Sequence, residues 1–186
     1  MAPMFELSAG SPALCLIDTI GDRGGACVER LLAPGDLDQW LREASLVGND
    51  ARGATENDLA DVRVLRDAVY RSAMMLIDRV PPESADIEVI NRMARFAPPS
   101  PQWCDGKVVP LAEDAIAAAF SLIAADAVAI LAAPCIERVR LCPECRMMFL
   151  DRSAAGRRRW CSSASGCGNR AKVREHRARR AAQQKE

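Results

Sequence analysis

Four cysteines in the last third of the chain have the residue type and spacing of metal ligands. Two residues separate Cys142 from Cys145, fifteen separate Cys145 from Cys161, and five separate Cys161 from Cys167. A short pair of thiols on a tight turn supplies two corners of a tetrahedral zinc site, and a second pair brought back by a hairpin or a loop supplies the other two. The first pair and the long interval match the usual zinc pattern, whereas the second pair is wider than the common two-residue gap. The sequence therefore predicts one zinc ion held by these four thiolates.

The predicted zinc has a structural role. Four thiolates leave no coordination position open for water, and no carboxylate–histidine pair lies nearby to act as a base. A thioredoxin-like redox role for the first cysteine pair is the alternative, but it requires a preceding strand in a βαβ unit, which the pattern does not indicate. The only histidine, His176, lies nine residues past Cys167. We interpret it as a surface or nucleic-acid contact. The sequence thus predicts that the protein is not an enzyme.

The segment around the cysteines has too little apolar material to fold alone, so metal binding should drive its folding. Four apolar side chains are predicted to form its small core. They are Met148, Phe149, Leu150 and Trp160.

Charge is divided unevenly along the chain. The formal net charge is zero, but residues 136–186 carry 14 Lys/Arg and 5 Asp/Glu, and residues 1–135 carry the remaining 11 Lys/Arg and 20 Asp/Glu. An acidic body with a basic arm is typical of proteins that meet a polyanion. Guanidinium groups repeated along a helix suit phosphates and the edges of guanine, although a solvated helix would carry the same charges. The predicted nucleic-acid contacts are Arg157, Arg158, Arg159, Asn169, Arg170, Lys172, Arg174 and Arg177.

The elements that must position these residues are mainly helical. Ser11-Pro12 and Thr55 followed by Asp58 are helix starts, and the apolar periodicity behind Thr55 predicts a long amphipathic helix that ends before Pro81. Shorter helices are predicted over 36–47 and 84–96, and an Ala-rich buried helix over 111–133. Between them, Asp105-Gly106 is the dipeptide of a two-residue hairpin turn, which predicts a small β-hairpin over 102–111.

The chain is therefore expected to be mainly α. A helical N-terminal domain with a small β-hairpin occupies residues 1–135, and a small zinc-finger module that ends in a basic helix occupies 136–186. The N-terminus shows no signal peptide, and the Ala-rich run is interrupted by Asp126, so we expect no membrane segment and a cytoplasmic location. Paired cysteines in that reducing compartment favour metal over disulfides.

Two stretches carry a family resemblance. Cys167-Gly168-Asn169-Arg170, together with Arg158-Arg159-Trp160-Cys161, resembles the CGNR zinc-finger family of bacteria. Leu14-Cys15-Leu16-Ile17-Asp18-Thr19, with Trp40-Leu41 and Leu65-Arg66-Asp67-Ala68, resembles the ABATE domain that commonly precedes it. The resemblance implies a transcription regulator of a type described as stress-induced, with the finger as its DNA contact and zinc on the four cysteines. It leaves open whether Asn169 contacts a base or stabilises the finger.

The resulting hypothesis is a DNA-binding transcription regulator. One alternative is an RNA-binding zinc module, and the other is a ligand-binding or interaction protein whose basic tail is only solvated. Beyond DNA, the sequence leaves open two partners, a small-molecule effector in the N-terminal domain and a second copy of the chain contacted through the N-terminal helices. A single module of this size makes few base contacts, which is the reason to consider a homodimer.

Overall fold

The computed structural model describes residues 5–162 and 166–183. Within these residues the chain forms six α-helices, one short 3-10 helix and three two-stranded antiparallel sheets. The helices are α1 (Pro12–Ile17), α2 (Pro34–Glu43), α3 (Glu56–Ile77), α4 (Ser84–Ala94), α5 (Ala115–Leu131) and α6 (Cys167–Gln183), with the 3-10 helix at Cys135–Arg138. The strands are β1 (Ile20–Gly21), β2 (Val28–Glu29), β3 (Ser100–Cys104), β4 (Lys107–Leu111), β5 (Val139–Leu141) and β6 (Met148–Leu150).

Side-chain caps begin three of the helices that carry the core. The Ser11 hydroxyl accepts a hydrogen bond from the amide of Leu14, and the Asp114 carboxylate accepts from the amides of Ile116 and Ala117. At α3, the amide of Asp58 donates to Thr55 Oγ1 while the Asp58 carboxylate accepts from the amide of Thr55. Such caps satisfy amides that the first turn of a helix leaves without partners. The predicted helix starts at Ser11 and Thr55 are confirmed.

The core lies between α1, α3 and α5, which contact one another. Every residue of α1 from Ala13 to Ile17 is buried, so this short helix is surrounded by the rest of the molecule. Leu37, Trp40 and Leu41 bury one face of α2 against the same core. Among the described residues, no helix is both long and apolar enough to cross a membrane, and α5, the Ala-rich helix, packs into the core.

Helices α1 and α2 end earlier than the sequence predicts. The helical spacing of Leu14, Ile17 and Ile20 predicts that the first helix includes Ile20, but α1 ends at Ile17 and Ile20 lies in strand β1. Helix α2 ends at Glu43, where Ser45 adopts a left-handed backbone with φ of 58°. The hairpin is confirmed, with Cys104 paired to Lys107 and positive φ at both turn residues, as a type I′ turn requires. The mainly α class with a small hairpin and a C-terminal finger region is also confirmed.

Strand β6 divides its side chains between two cores. Met148 and Leu150 point into the core of the helices, whereas Phe149 points into a second cluster around the cysteines. The alternation follows from the two-residue period of a strand. The prediction that Met148 and Leu150 belong to the small core of the finger is therefore wrong, while Phe149 and Trp160 do lie in or against it.

Candidate metal centre

The first cysteine pair lies on the turn between β5 and β6. The amide of Cys142 donates to the carbonyl of Met147, and the amide of Arg146 donates to the carbonyl of Cys142, both over 2.9 Å. Arg146 has a left-handed backbone with φ of 61°, a conformation that L side chains rarely adopt. The turn thus folds tightly enough to aim both thiols of the pair to the same side.

The four cysteines come together as a buried cluster. The sulfur atoms of Cys142, Cys145, Cys161 and Cys167 all lie within 4.8 Å of one another. The Sγ atoms of Cys145 and Cys161 are 3.6 Å apart, and those of Cys161 and Cys167 are 3.8 Å apart. Tetrahedral zinc with Zn–S bonds of about 2.3 Å places its sulfurs roughly 3.8 Å apart, whereas a disulfide requires about 2 Å. The arrangement fits structural zinc, as the sequence predicts.

The loop that delivers Cys161 is organised by Asp151. This buried carboxylate accepts hydrogen bonds from the amide and hydroxyl of Ser153 and from the amide of Arg158. Those hydrogen bonds, that of the Ser153 hydroxyl first, lower the pKa of Asp151 below its usual range. Sequence reasoning missed this residue as an organiser, although an Asp two residues before a Ser is a recognisable turn signal.

Arg158 holds the same loop from its other side. Its guanidinium lies 4.6 Å from the centre of the Phe149 ring and donates to the carbonyl of Trp160 over 2.9 Å. The contact with the ring is a cation–π interaction, which attracts a guanidinium to an aromatic face. Arg158 is thus engaged within the finger itself.

Cys167 occupies the first turn of α6. Helix N-termini favour negative charge, so this position supports a thiolate. Arg170, one turn later, donates to Cys167 Sγ over 3.1 Å. Hydrogen bonds to a coordinating sulfur orient the ligand and offset the negative charge of a four-thiolate zinc site.

Glu144, between the first two cysteines, ties α6 to the turn. Its carboxylate accepts two hydrogen bonds from Arg174, at 2.8 and 2.6 Å, and lies 3.9 Å from the guanidinium of Arg170. The hydrogen bond from Arg174 lowers the pKa of Glu144. No feature of the sequence separated Glu144 from an ordinary surface acid, because the pairing depends on where α6 lies.

A loop of the helical body lies directly on the cysteine turn. The amide of Gly24 donates to the carbonyl of Cys145 over 3.2 Å. A Cβ atom at Gly24 would lie 2.7 Å from Arg146 Cγ and 3.5 Å from the carbonyl carbon of Cys145. Only glycine permits this approach without displacing Arg146. In the sequence, Gly24-Gly25 predicts only a break after the first helix and gives no signal for this contact.

The predicted nucleic-acid residues lie along two adjoining concave surfaces. One is an open cleft of about 700 Å³ beside Trp160, and it contains Arg157, Arg158, Arg159, Asn169 and Lys172. The other, of about 390 Å³, follows α6 and contains Asn169, Arg170, Arg174 and Arg177. Exposed Asn169 belongs to both. All eight residues are therefore brought to one end of the molecule.

The N-terminal residues that resemble a family motif form a buried charged cluster. Arg66 donates to both carboxylate oxygens of Glu29, each over 2.8 Å, and to Thr19 Oγ1 over 3.1 Å. Asp18 is 2% exposed, and its burial raises the pKa of the carboxyl well above its usual range. Arg23 lies 4.0 Å from the centre of the Tyr70 ring. These contacts connect α1 to α3 and to strand β2, and a small-molecule effector in this domain stays a prediction.

Comparisons with known proteins divide the chain in the same order. A family model named ABATE, with the description "Putative stress-induced transcription regulator", matches residues 10–134. A second model, the CGNR zinc finger, matches residues 138–180 and covers all four cysteines. Among curated proteins, no match to the chain was found.

Proposed function

Because the chain belongs to the ABATE family and continues into a CGNR zinc finger, we propose that it is a DNA-binding transcription regulator. In this proposal the zinc has no catalytic role, since four thiolates close its coordination shell. The protein acts by occupying DNA, with the finger as its contact surface and the helical body as the part that responds to a signal.

One observation carries the proposal, the concentration of cations around the cleft beside Trp160. The chain from Arg157 to Arg159 forms one wall, and α6 forms the other with Lys172 and Asn169. Cations that converge on a concave surface attract a polyanion more strongly than the same cations scattered over a protein. Asn169 is exposed where the two surfaces meet, so its side-chain amide can reach a base edge.

Helix α6 contributes as a basic helix. Its described residues contain six Lys/Arg and one acid, Glu175. Two of its arginines already contact the finger, Arg170 through Cys167 and Arg174 through Glu144. We therefore assign Lys172 and Arg177 as phosphate contacts, with Arg170 and Arg174 fixing the helix to the zinc centre in addition to any contact they make with DNA.

Duplex DNA is favoured over single-stranded RNA by the placement of the aromatic residues. Recognition of single strands uses exposed aromatic rings on which bases stack. Phe149 is fully buried, and Trp160 is half-buried with its ring 2.9 Å from the position of a Cβ at Gly168. Phe149 therefore offers no face to a base, and Gly168 packs against the ring of Trp160, so binding through charge along a duplex backbone is the better fit.

The test is binding of the zinc-loaded protein to random duplex DNA at several salt concentrations. We expect binding that weakens steeply with salt, and the double variant Arg157→Gln/Lys172→Gln should reduce the slope of log K against log salt by about 2. Arg92→Gln, an exposed arginine at the end of α4, is the matched control and should leave the slope unchanged. Binding that is unchanged after zinc removal would overturn the proposal. A preference for single-stranded RNA in competition with duplex DNA would also overturn it.

A further inference from the structure

The end of helix α3 holds an arginine in a backbone conformation that favours glycine. Arg79 has a φ of 62° and follows the residue that caps the helix. Its amide donates to the carbonyl of Leu76, and the amide of Val80 donates to the carbonyl of Met75 over 2.8 Å. These two hydrogen bonds form a Schellman motif, whose left-handed position is usually glycine because a Cβ atom is unfavourable there. An arginine kept at such a position indicates that its side chain has a use beyond ending the helix.

Arg79 lines a hollow between the end of α3, the 3-10 helix and strand β5. The hollow has a volume of about 600 Å³, and Arg79 and Arg140 are its cations. Its apolar lining includes Leu76 and Val139, and Glu137 is the one acid among its described residues. Two guanidinium groups from distant parts of the chain are therefore brought to one concave surface.

Arg140 connects this hollow to the finger. In the register of the hairpin it lies opposite Phe149, so its side chain shares a strand face with the ring that contacts Arg158. The Nη1 atom of Arg140 donates to the carbonyls of Glu137 and Val139, which orients the side chain. Among the described residues, Nε and Nη2 of this guanidinium have no hydrogen-bond partner, so these donors remain for a ligand.

The hollow is one end of a continuous series of concave surfaces. Arg140 also lines a second hollow, of about 340 Å³, together with the chain from Arg157 to Arg159. Those three arginines line the cleft beside Trp160, and Asn169 joins that cleft to the surface along α6. Arg79 and Arg140 thus continue a band of cations that begins on the finger. A continuous band favours a long polyanion over a small isolated anion.

We propose that the duplex bound by the finger continues across this hollow, so that Arg79 and Arg140 contact its phosphates. The inference rests on the proposed function, because it extends the same DNA surface from the finger onto the helical body. Residues 1–135 carry 11 Lys/Arg and 20 Asp/Glu, so most of the body repels a phosphate backbone. The basic route along β5 and the end of α3 is the side by which the body can approach DNA. Phosphate contacts there add affinity and fix the orientation of the protein without reading the sequence.

Substitution of Arg79 by glycine separates DNA contact from folding. Glycine relieves the left-handed backbone, so Arg79→Gly should be at least as stable as the wild type and retain its zinc. Salt titrations of binding to random duplex DNA should nevertheless show that the slope of log K against log salt falls by about 1, since one phosphate contact is lost. The double variant Arg79→Gly/Arg140→Gln should lower the slope by about 2.

Ser45→Gly, at the end of α2, is the matched control. Ser45 has a φ of 58°, its amide donates to the carbonyl of Arg42, and the amide of Leu46 donates to the carbonyl of Leu41. The same motif therefore ends both helices. Ser45→Gly makes the same backbone change without removing a charge, and Ser45 lines none of the basic surfaces. Its salt slope should equal that of the wild type.

Two results would overturn this inference while leaving the proposed function intact. One is an unchanged salt slope in Arg79→Gly when Arg157→Gln/Lys172→Gln lowers the slope as expected, because the DNA is then confined to the finger. The other is an equal loss in Arg79→Gly and Ser45→Gly, because the effect then comes from the backbone and not from the charge. A zinc-loaded wild type that binds no duplex would overturn both the inference and the proposed function.

Discussion

The helical body and the finger reach a folded state by different physical means. The body surrounds α1 with apolar side chains from α2, α3, α4 and α5. The finger gathers four cysteines with little else, and among the described residues its buried cluster adds only Met147 and Phe149. Burial of apolar surface stabilises the first, whereas coordination bonds must stabilise the second. One chain therefore joins a region that folds by itself to a region that requires an ion.

Two of the contacts between the regions reach close to the cysteines. Strand β6 supplies Met148 and Leu150 to the body, and its backbone is fixed there because the amide of Leu150 donates to the carbonyl of Ala9 over 2.7 Å. The other contact joins the body to the turn that holds Cys145, where the amide of Gly24 donates to the carbonyl of Cys145. Half of the finger is thus held by the body, and the half from Asp151 onward depends on the metal.

The largest expected effect comes from removing one zinc ligand. In Cys145→Ser, bound zinc should fall from one ion per chain to near zero, since structural zinc binding contributes roughly 10–16 kcal/mol to finger folding. Amide hydrogen exchange should then show lost protection over α6 and the loop after Asp151, while α3 and α5 remain protected. Strand β6 should retain part of its protection because of its contact with Ala9.

Cys104→Ser is the matched control for that experiment. Cys104 is exposed on the hairpin and lies outside the zinc cluster, so its loss should leave both zinc content and exchange unchanged. Simultaneous loss of protection in α3 and α6 after zinc removal would show that the body also depends on the ion. The contrast between the two regions would then be wrong.

The elements that local signals specify were predictable from the sequence. Ser11 and Thr55 mark helix starts by their caps, and Asp105-Gly106 marks its turn, because these residue types act within four positions of themselves. The cysteine spacing predicts the zinc site for a different reason: the chemistry of the metal fixes the ligand types, even where two ligands lie 16 residues apart along the chain.

The contacts that depend on tertiary placement were not predictable. Met148 and Leu150 were expected inside the finger, but the sequence did not show that β5 and β6 form a hairpin against α1. Gly24 and Glu144 contact residues far along the chain, Cys145 and Arg174 respectively, and neither has a local signal for that contact. A short apolar run such as residues 147–150 does not show which side chains face the helical core and which face the cysteines until the placement of the strand is known.

A second prediction tests whether charge inside the body matters as much as its apolar core. Glu29→Gln leaves Arg66, whose side chain is 3% exposed, without its bidentate counter-charge. We expect the free energy of unfolding to fall by about 1–3 kcal/mol, because the buried guanidinium of Arg66 then keeps only the partly exposed carboxylate of Asp67, 3.1 Å away, as its counter-charge. Chemical denaturation of the zinc-loaded protein measures it, and zinc content should not change. Glu88→Gln, an exposed acid on α4, is the control.

The same ion pair predicts a pH dependence. Burial raises the pKa of Glu29, but the hydrogen bonds from Arg66 and from the amides of Leu31 and Arg30 outweigh it and hold the pKa below its usual range. A carboxyl with a lowered folded-state pKa stabilises the fold above its unfolded pKa and loses that contribution as the pH falls through the folded value. Wild-type stability should therefore decline more steeply with acid than that of Glu29→Gln. Equal slopes would show that Glu29 is not stabilised by the pairing.

The smallest expected effect tests the contact between the two regions. In Gly24→Ala, the added Cβ would lie 2.7 Å from Arg146 Cγ. Arg146 cannot retreat easily because its left-handed backbone is fixed by the turn around Cys142, so the turn itself must shift. We expect a loss of about 1 kcal/mol of stability and roughly fivefold faster release of zinc to a chelator, since strain at a packed contact is shared with the site it supports.

Gly35→Ala provides the matched comparison for Gly24→Ala. A Cβ at Gly35 meets nothing within 4 Å, and the residue lies in the first turn of α2, so the variant should gain about 0.4–1 kcal/mol by restricting the unfolded chain. Its zinc release should equal that of the wild type, because the buried face of α2 packs into the helical core. If Gly24→Ala loses stability without faster zinc release, the loop only packs against the finger. If zinc release accelerates as expected, the body holds the metal site in place, and a signal received by the helices has a physical route to the zinc.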